Sequence, residues 1–136
     1  MAQLQLDVVT PERRVLSEEV DLVVVPGLGG EVGILPGHTP LISQLQTGVL
    51  SYTQGGRTAQ LHISGGFLEV RDDHVSVLAE IAERPEEIDA GAARLAREQV
   101  EKRMNSWSGT EEELEVARVE FDRATVRLQL ATGKAL

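Results

Sequence analysis

The sequence predicts a β domain followed by a pair of helices, and its prolines and glycines place the boundary between the two parts. All five prolines lie at or before Pro85, and ten of the thirteen glycines precede it. Frequent turn-forming residues suit a series of short strands, whereas long helices need their absence. Residues 1–84 are therefore expected to form a sandwich or barrel of roughly eight to ten strands. Residues 85–136 are expected to form the helices.

The strands are indicated by alternating apolar and polar residues, because a period of two puts every second side chain on one face of a sheet. Gln54-Gly55-Gly56-Arg57 predicts a two-residue hairpin turn, and Asp72-Asp73 predicts a second turn after a short strand at residues 67–70. The apolar members of the alternating segments are Leu4, Leu6 and Val8, then Val20, Leu22 and Val24, then Ala59, Leu61 and Ile63, and finally Val75, Val77 and Ala79.

Two helices are predicted after Pro85, the first over residues 85–104 and the second from Thr110, where Thr110 and Glu113 form a capping box. Each helix has an apolar seam that is rich in alanine. The hairpin should therefore close weakly, since an alanine contact buries little surface. A pair of helices that opens and one that stays packed are equally compatible with this composition. The seam residues are Ile88, Ala92, Ala96, Val100 and Met104, and Leu114, Ala117, Phe121, Ala124, Leu128 and Ala131.

Composition excludes several classes of protein. The net charge of −9 disfavours nucleic acid as a partner, because phosphates need a basic surface. The absence of cysteine excludes disulfides, thiolate nucleophiles and cysteine-based zinc sites. No window approaches the roughly 18 apolar residues of a membrane span, so direct membrane insertion is not expected. The N-terminus lacks a signal-peptide pattern, and a cytoplasmic location is expected.

No catalytic or metal centre is expected. The three histidines, His38, His62 and His74, have no second histidine at the spacing of metal ligands. No serine lies in a nucleophile-elbow pattern. The glycine-rich residues 27–30 are followed by Glu31 and strand-like sequence rather than by a helix, so they predict a turn and not a phosphate-binding loop.

Residues 30–41, Gly-Glu-Val-Gly-Ile-Leu-Pro-Gly-His-Thr-Pro-Leu, predict a shaped loop, since three glycines and two prolines restrict the backbone over a short span. Such a loop could turn the chain between sheets, or it could present Glu31 and His38 to a partner.

This segment also resembles a known family, the ε subunit of bacterial F-type ATP synthase. Residues 64–70, Ser-Gly-Gly-Phe-Leu-Glu-Val, resemble the same family, as do residues 8–12 and 79–83. The match runs in order along the whole chain. The resemblance implies a ten-stranded N-terminal β-sandwich, residues 1–84, followed by a C-terminal antiparallel two-helix hairpin, residues 85–136.

The implied role is not enzymatic. A member of this family is a central-stalk subunit that turns with the rotor, binds the γ subunit and the ring of c subunits, and couples proton flow to ATP synthesis. Its C-terminal helices approach the catalytic α and β subunits transiently and restrain ATP hydrolysis. The implied location is peripheral, on the cytoplasmic side of the bacterial cell membrane.

The resemblance also assigns interface residues by position. Gly30, Glu31, Val32 and Gly33 match the segment that meets the c-ring. Thr10, His38, Ser43 and Ser64 match positions on or near the γ-facing surface.

Some members of the family bind ATP as a regulatory ligand in the hairpin, and no other cofactor is implied. The matching residues here are Ile88, Asp89, Arg123 and Arg127, but Ala92 stands where the motif has arginine. Losing one charged contact weakens binding by about tenfold to a hundredfold. Weak or absent ATP binding is therefore expected.

Two other functions compete with this one. A free-standing β-sandwich binding module with a helical oligomerisation arm would self-associate instead of binding γ. A hydrolase that used His38 with Glu31 would need a nucleophile that the sequence does not supply.

Overall fold

A computed structural model describes residues 2–134, which form two compact units divided between Arg84 and Pro85. The first unit contains all of the strands and the second contains all of the helices. In chain order the elements are β1 (Leu4–Val9), β2 (Arg14–Val20), β3 (Leu22–Gly27), β4 (Gly30–Ile34), β5 (Leu41–Gln44), β6 (Gly48–Gln54), β7 (Arg57–Arg71), β8 (His74–Glu83), a short 3₁₀ turn (Pro85–Glu87), α1 (Ala90–Asn105) and α2 (Glu111–Thr132).

The strands pair in the order β2-β1-β8-β7-β6-β3-β4, and β5 pairs separately with β7. The β1–β8 pair is parallel, with Leu6 opposite Val75, and every other pair between named strands is antiparallel. The first half of β7 pairs with β6 and its second half pairs with β5. Residues 30–34, which were expected in a loop, form β4 against β3, and the loop is limited to residues 35–40.

Eight strands are present in residues 2–134, where ten were expected. One reason is that residues 59–63 and 67–70, predicted as separate strands, are joined into β7 through Gly65 and Gly66. Both glycines have positive φ, 71° and 107°. A Cβ on Gly66 would overlap the carbonyl oxygen of Leu78 and lie 2.8 Å from Ala79 Cα. Only glycine allows β7 and β8 to stay paired through this bend.

The core of the sandwich contains the inward members of the alternating segments. Leu4, Leu6 and Val8 are fully buried, while Gln5 and Asp7 between them are partly exposed. The predicted turn at Gly55-Gly56 is present, with positive φ at both glycines and Gln54 opposite Arg57.

The pattern of period two identifies the buried face of β1, β7 and β8, but the predicted segment of Val20, Leu22 and Val24 is wrong. Val20 ends β2 and Leu22 begins β3, so the alternation does not continue through one strand. In β3, Val23 and Val25 are fully buried, whereas Leu22 and Val24 are partly exposed.

The first helix begins later than predicted because of its cap. The Asp89 side chain accepts a hydrogen bond from the backbone N–H of Ala92 at 3.0 Å and starts α1 at Ala90. A seam with a step of four drifts around a helix of 3.6 residues per turn. Accordingly Val100 is buried, whereas Ala92 is exposed and Ala93 takes the buried position.

The second helix follows the predicted pattern. The Thr110 hydroxyl accepts from the backbone N–H of Glu113 at 3.1 Å, and Gly133 ends the helix with φ of 70°. Ala117, Ala124 and Leu128 of the seam are buried.

Polar contacts join the two helices along the seam. Arg97 Nε donates to Thr125 Oγ1 at 2.9 Å, and its guanidinium lies over the Phe121 ring at 4.7 Å. Arg103 and Glu120 form an ion pair with a distance of 2.7 Å.

Candidate partner-binding surfaces

An apolar strip crosses the outward face of four strands in the sandwich unit. Phe67 of β7 is directly opposite Leu78 of β8, and Leu78 is opposite Val9 of β1. Ile42 of β5 lies diagonally beside Phe67, since Gln44 is opposite Phe67. We call Val9, Ile42, Phe67 and Leu78 the outer strip. Ile42 is 74% exposed, Leu78 56% and Phe67 53%. Contiguous apolar surface of this kind marks interaction sites.

Carboxylates border the outer strip. Glu69 is opposite Ile42, Glu80 lies two residues beyond Leu78 on the same face, and Asp7 lies two residues before Val9. A partner surface that fits this face is apolar at its centre and carries lysine or arginine at its edge.

Asp7 is held in its charged form. A hydrogen bond from the Ser17 hydroxyl, followed by the contact with His74, lowers the pKa of Asp7 below its ordinary value of 3.8. His74 Nε2 lies 2.5 Å from Asp7 Oδ2. This contact also joins β1 to the beginning of β8.

The residues expected at the c-ring lie on β4. Val24 is opposite Gly33 and Pro26 is opposite Glu31, so β4 pairs with β3 along its length. Gly30 and Val32 are half-buried, whereas Glu31 is exposed. The turn that precedes them carries Leu28, which is 60% exposed.

The four residues expected at the γ-facing surface differ in exposure. Thr10 and Ser64 are buried within the chain, and the Ser64 hydroxyl lies 2.8 Å from that of Thr47. His38 and Ser43 are half-buried, with His38 Nδ1 located 2.7 Å from the Thr39 carbonyl oxygen.

Ile42, Phe67 and Leu78 of the outer strip were not predicted from the sequence as interface residues. The sequence carries one signal for such residues, which is an apolar residue at a position of the alternation that polar residues otherwise occupy. Phe67, two residues before Glu69, is an example.

The residues expected to hold ATP lie in the second unit. Ile88 is buried, and the Asp89 carboxylate is occupied as the cap of α1. Arg123 and Arg127 line a groove of about 190 Å³ between α1 and α2, and the same groove is lined by Ala96, Val100, Glu120 and Ala124. The exposed methyl of Ala92 adds no charge at the position where the ATP-binding motif has arginine.

Residues 2–134 contain neither a cluster of metal ligands nor a helix that could span a membrane. Within that range, no three histidine, aspartate or glutamate side chains come together as metal ligands. Over the same residues, no helix is both long enough and apolar enough to span a membrane.

Comparison with protein families matches both units. The description "ATP synthase, Delta/Epsilon chain, beta-sandwich domain" matches residues 3–85, and "ATP synthase, Delta/Epsilon chain, long alpha-helix domain" matches residues 86–132. The chain belongs to this family. The resemblance found in the sequence is therefore confirmed.

Curated relatives match this chain along nearly its full length. The ATP synthase epsilon chain of Desulforamulus reducens is 45% identical over 132 residues, which cover 96% of this chain and 99% of the relative. The ATP synthase epsilon chain of Herpetosiphon aurantiacus is 50% identical over 128 residues, covering 94% of this chain and 93% of the relative. Both relatives are thus named as epsilon chains of the synthase.

Solved structures share the fold. A chain of the Euglena gracilis mitochondrial ATP synthase, in a structure of OSCP, F1 and the c-ring, superposes with a TM-score of 0.82 at 27% identity, covering 98% of this chain and 83% of that chain. A chain from the central stalk and c-ring of the Tetrahymena thermophila mitochondrial enzyme has a TM-score of 0.69 at 13% identity, with coverage of 96% and 97%. The second match supports the fold alone.

Proposed function

We propose that this chain is a non-catalytic central-stalk subunit of an F-type, proton-translocating ATP synthase. In this role the sandwich unit docks on the γ subunit and the c-ring, and it turns with them while proton flow drives ATP synthesis. The outer strip is the observation that carries the proposal. It is an exposed apolar surface within the unit that matches the sandwich domain of the family. The complex would hold the chain peripherally, on the cytoplasmic side of the bacterial cell membrane.

The γ subunit is assigned to the outer strip. Placing a carboxylate in the centre of an apolar interface leaves a buried charge without a partner, which is strongly unfavourable. Phe67→Asp should therefore weaken binding to recombinant γ by at least about tenfold. Gln60→Asp is the matched control, because it adds the same charge at an exposed position on the same strand, β7. Surface plasmon resonance on immobilised γ measures both variants.

The comparison of these two variants decides the assignment. Equal affinities for Phe67→Asp and Gln60→Asp would remove the outer strip from the γ interface. Self-association of the wild-type chain without any binding to γ would instead favour the binding module with an oligomerisation arm.

The c-ring is assigned to the exposed side of β4 and the turn before it. Since the chain has no cysteine, a cysteine introduced as Glu31→Cys is unique. In the reconstituted complex it should cross-link to a c subunit, whereas Thr58→Cys, exposed on β7, should not. Cross-linking of neither position, or of both equally, would count against this contact.

The helical unit is assigned a regulatory role, in which it restrains ATP hydrolysis through transient contact with the α and β subunits. Three of its five buried apolar positions within the helices are alanines, so opening the hairpin exposes little apolar surface. Deleting residues 86–136 should leave binding to γ intact and raise ATP hydrolysis by the reconstituted complex. Unchanged hydrolysis after the deletion would show that the helices do not restrain it.

ATP is assigned at most a weak regulatory role. Arg123 and Arg127 supply positive charge in one groove, but Ala92 supplies none. Isothermal titration calorimetry of the full chain should give a dissociation constant well above the low micromolar range. The variant Ala92→Arg should tighten it by about tenfold. A low micromolar constant for the wild-type chain would refute the assignment.

A further inference from the structure

The turn between β7 and β8 is built from two aspartates in an unfavourable backbone conformation. Asp72 has φ of 49° and Asp73 has φ of 58°, and Arg71 is opposite His74 across the turn. A two-residue turn of this kind favours glycine, asparagine and aspartate, because most other side chains crowd their own Cβ in the left-handed region. Both aspartates are therefore compatible with the turn, and they are distinguished by what their side chains contact.

The two side chains have different surroundings. The Asp73 carboxylate accepts a hydrogen bond from the backbone N–H of Gly37 at 2.7 Å, across 36 residues of sequence. Its backbone carbonyl accepts from the N–H of Gln5 at 2.9 Å. Asp72 is almost fully exposed and has a single long contact with Arg71, at 3.5 Å. Asp73 thus connects the β7–β8 turn to Gly37 and to Gln5 of β1, whereas Asp72 connects the turn to neither.

The segment that Asp73 holds makes few other hydrogen bonds. Within residues 36–39, the His38 N–H donates to the Leu35 carbonyl at 3.1 Å, and His38 Nδ1 contacts the neighbouring Thr39 carbonyl. Among the residues described in the structure, the bond to Asp73 is the only hydrogen bond from residues 36–39 to another strand or loop. Gly37 itself has φ of 85°, a conformation that favours glycine at this position.

This segment borders the surface assigned to γ. Leu35, at its beginning, is 59% exposed, and β5 with Ile42 of the outer strip follows directly after Pro40. We propose that Asp73 is a positioning residue, whose carboxylate fixes residues 35–40 in the shape that docks on the γ subunit beside the outer strip. This proposal rests on the proposed function, because it takes γ as the partner of this face.

The test compares glycine substitutions at the two turn positions in the full chain. Asp73→Gly is compatible with the left-handed backbone and with the carbonyl bond to Gln5, and it removes the side chain together with its carboxylate. Hydrogen exchange of the Gly37 amide, followed by NMR, should become about tenfold faster. Affinity for γ should fall by about threefold to tenfold, since the segment must now be ordered on binding. Asp72→Gly should leave both values at the wild-type level.

A conservative variant separates positioning from a general loss of structure. The amide oxygen of Asp73→Asn can accept the same hydrogen bond without the charge, so its Gly37 exchange and its affinity should lie closer to wild type than those of Asp73→Gly. Wild-type exchange at Gly37 in Asp73→Gly would overturn the positioning role. Faster exchange with unchanged affinity for γ would show that residues 35–40 are not part of the docking surface. If the wild-type chain does not bind γ, the proposed function fails, and so does the docking part of this proposal. The rate of Gly37 amide exchange in Asp73→Gly still decides whether Asp73 holds the segment.

Discussion

Replacing Gly66 by alanine is expected to lower the free energy of unfolding of the sandwich unit by about 4 kcal/mol. Two effects add. The φ of 107° is a conformation that non-glycine residues reach only with strain of about 1–3 kcal/mol. The new methyl group would also overlap the Leu78 carbonyl oxygen and lie 2.8 Å from Ala79 Cα. Relieving this overlap forces β7 and β8 apart, and overpacking of this kind destabilises by about 1–3 kcal/mol more.

Two other glycines separate these effects. Gly56 has φ of 80°, and no atom lies within 4 Å of the point that a Cβ would occupy, so Gly56→Ala should lose only the backbone contribution, about 1 kcal/mol. Gly29 has neither a positive φ nor a close neighbour, and Gly29→Ala should stay within about 0.5 kcal/mol of wild type.

Urea unfolding, followed by the amide NMR signals of β7 and β8, reports on the sandwich unit without interference from the helices. A loss of about 4 kcal/mol lowers the urea midpoint by about 2 M. If Gly66→Ala lost no more stability than Gly56→Ala, the overlap with Leu78 would contribute nothing. The account of the bend in β7 would then be wrong.

The remaining predictions concern one carboxylate and one helix cap. Ser17→Ala should raise the pKa of Asp7 in an NMR titration, because the Ser17 hydroxyl is the largest cause of its lowering. Since the folded pKa lies below the ordinary value of 3.8, the contribution of Asp7 to stability is present above that pH and is lost as the pH falls through the folded pKa. Ser17→Ala should therefore reduce the loss of stability in acid, and an unchanged pKa would contradict this. Thr110→Ala should destabilise α2 by about 1 kcal/mol, measured by urea unfolding of the helical circular dichroism signal. Ser108→Ala, in the same loop, is the control, and equal losses in the two variants would argue against the cap.

Local patterns predicted the elements of this fold well where neighbouring residues decide the structure. The alternation at Leu4, Leu6 and Val8 identified a buried face, and Gly55-Gly56 identified a turn. Contacts between distant residues were beyond such patterns. The pairing of β5 with β7 and the bend at Gly66 depend on strands that meet only in the folded sandwich.

The candidate surfaces were predicted less completely. Phe67 is an apolar residue at a position where the alternation predicts a polar one. The sequence alone does not show whether such a residue faces solvent or a second sheet. The outer strip becomes visible only when register places Phe67 beside Leu78 and Val9. Asp73 shows the same limit, since its contact with Gly37 spans 36 residues. The sequence marked it only as a turn residue.

The parallel pairing of β1 with β8 sets the order in which the chain can fold during synthesis. Residues 5–9 of β1 pair with residues 74–78 of β8. Within the sandwich unit β1 is synthesised first and β8 last, so this pair forms only after β8 has been made. Closing so long a loop is slow, and contacts of this separation place sandwiches among the slower-folding small domains, at milliseconds to seconds. In a nascent chain that ends before β8, β1 can pair only with its antiparallel neighbour β2. The apolar side chains of β1 then lack the neighbours that β8 provides. The sandwich is thus completed only when the strand that leads into the helices has emerged.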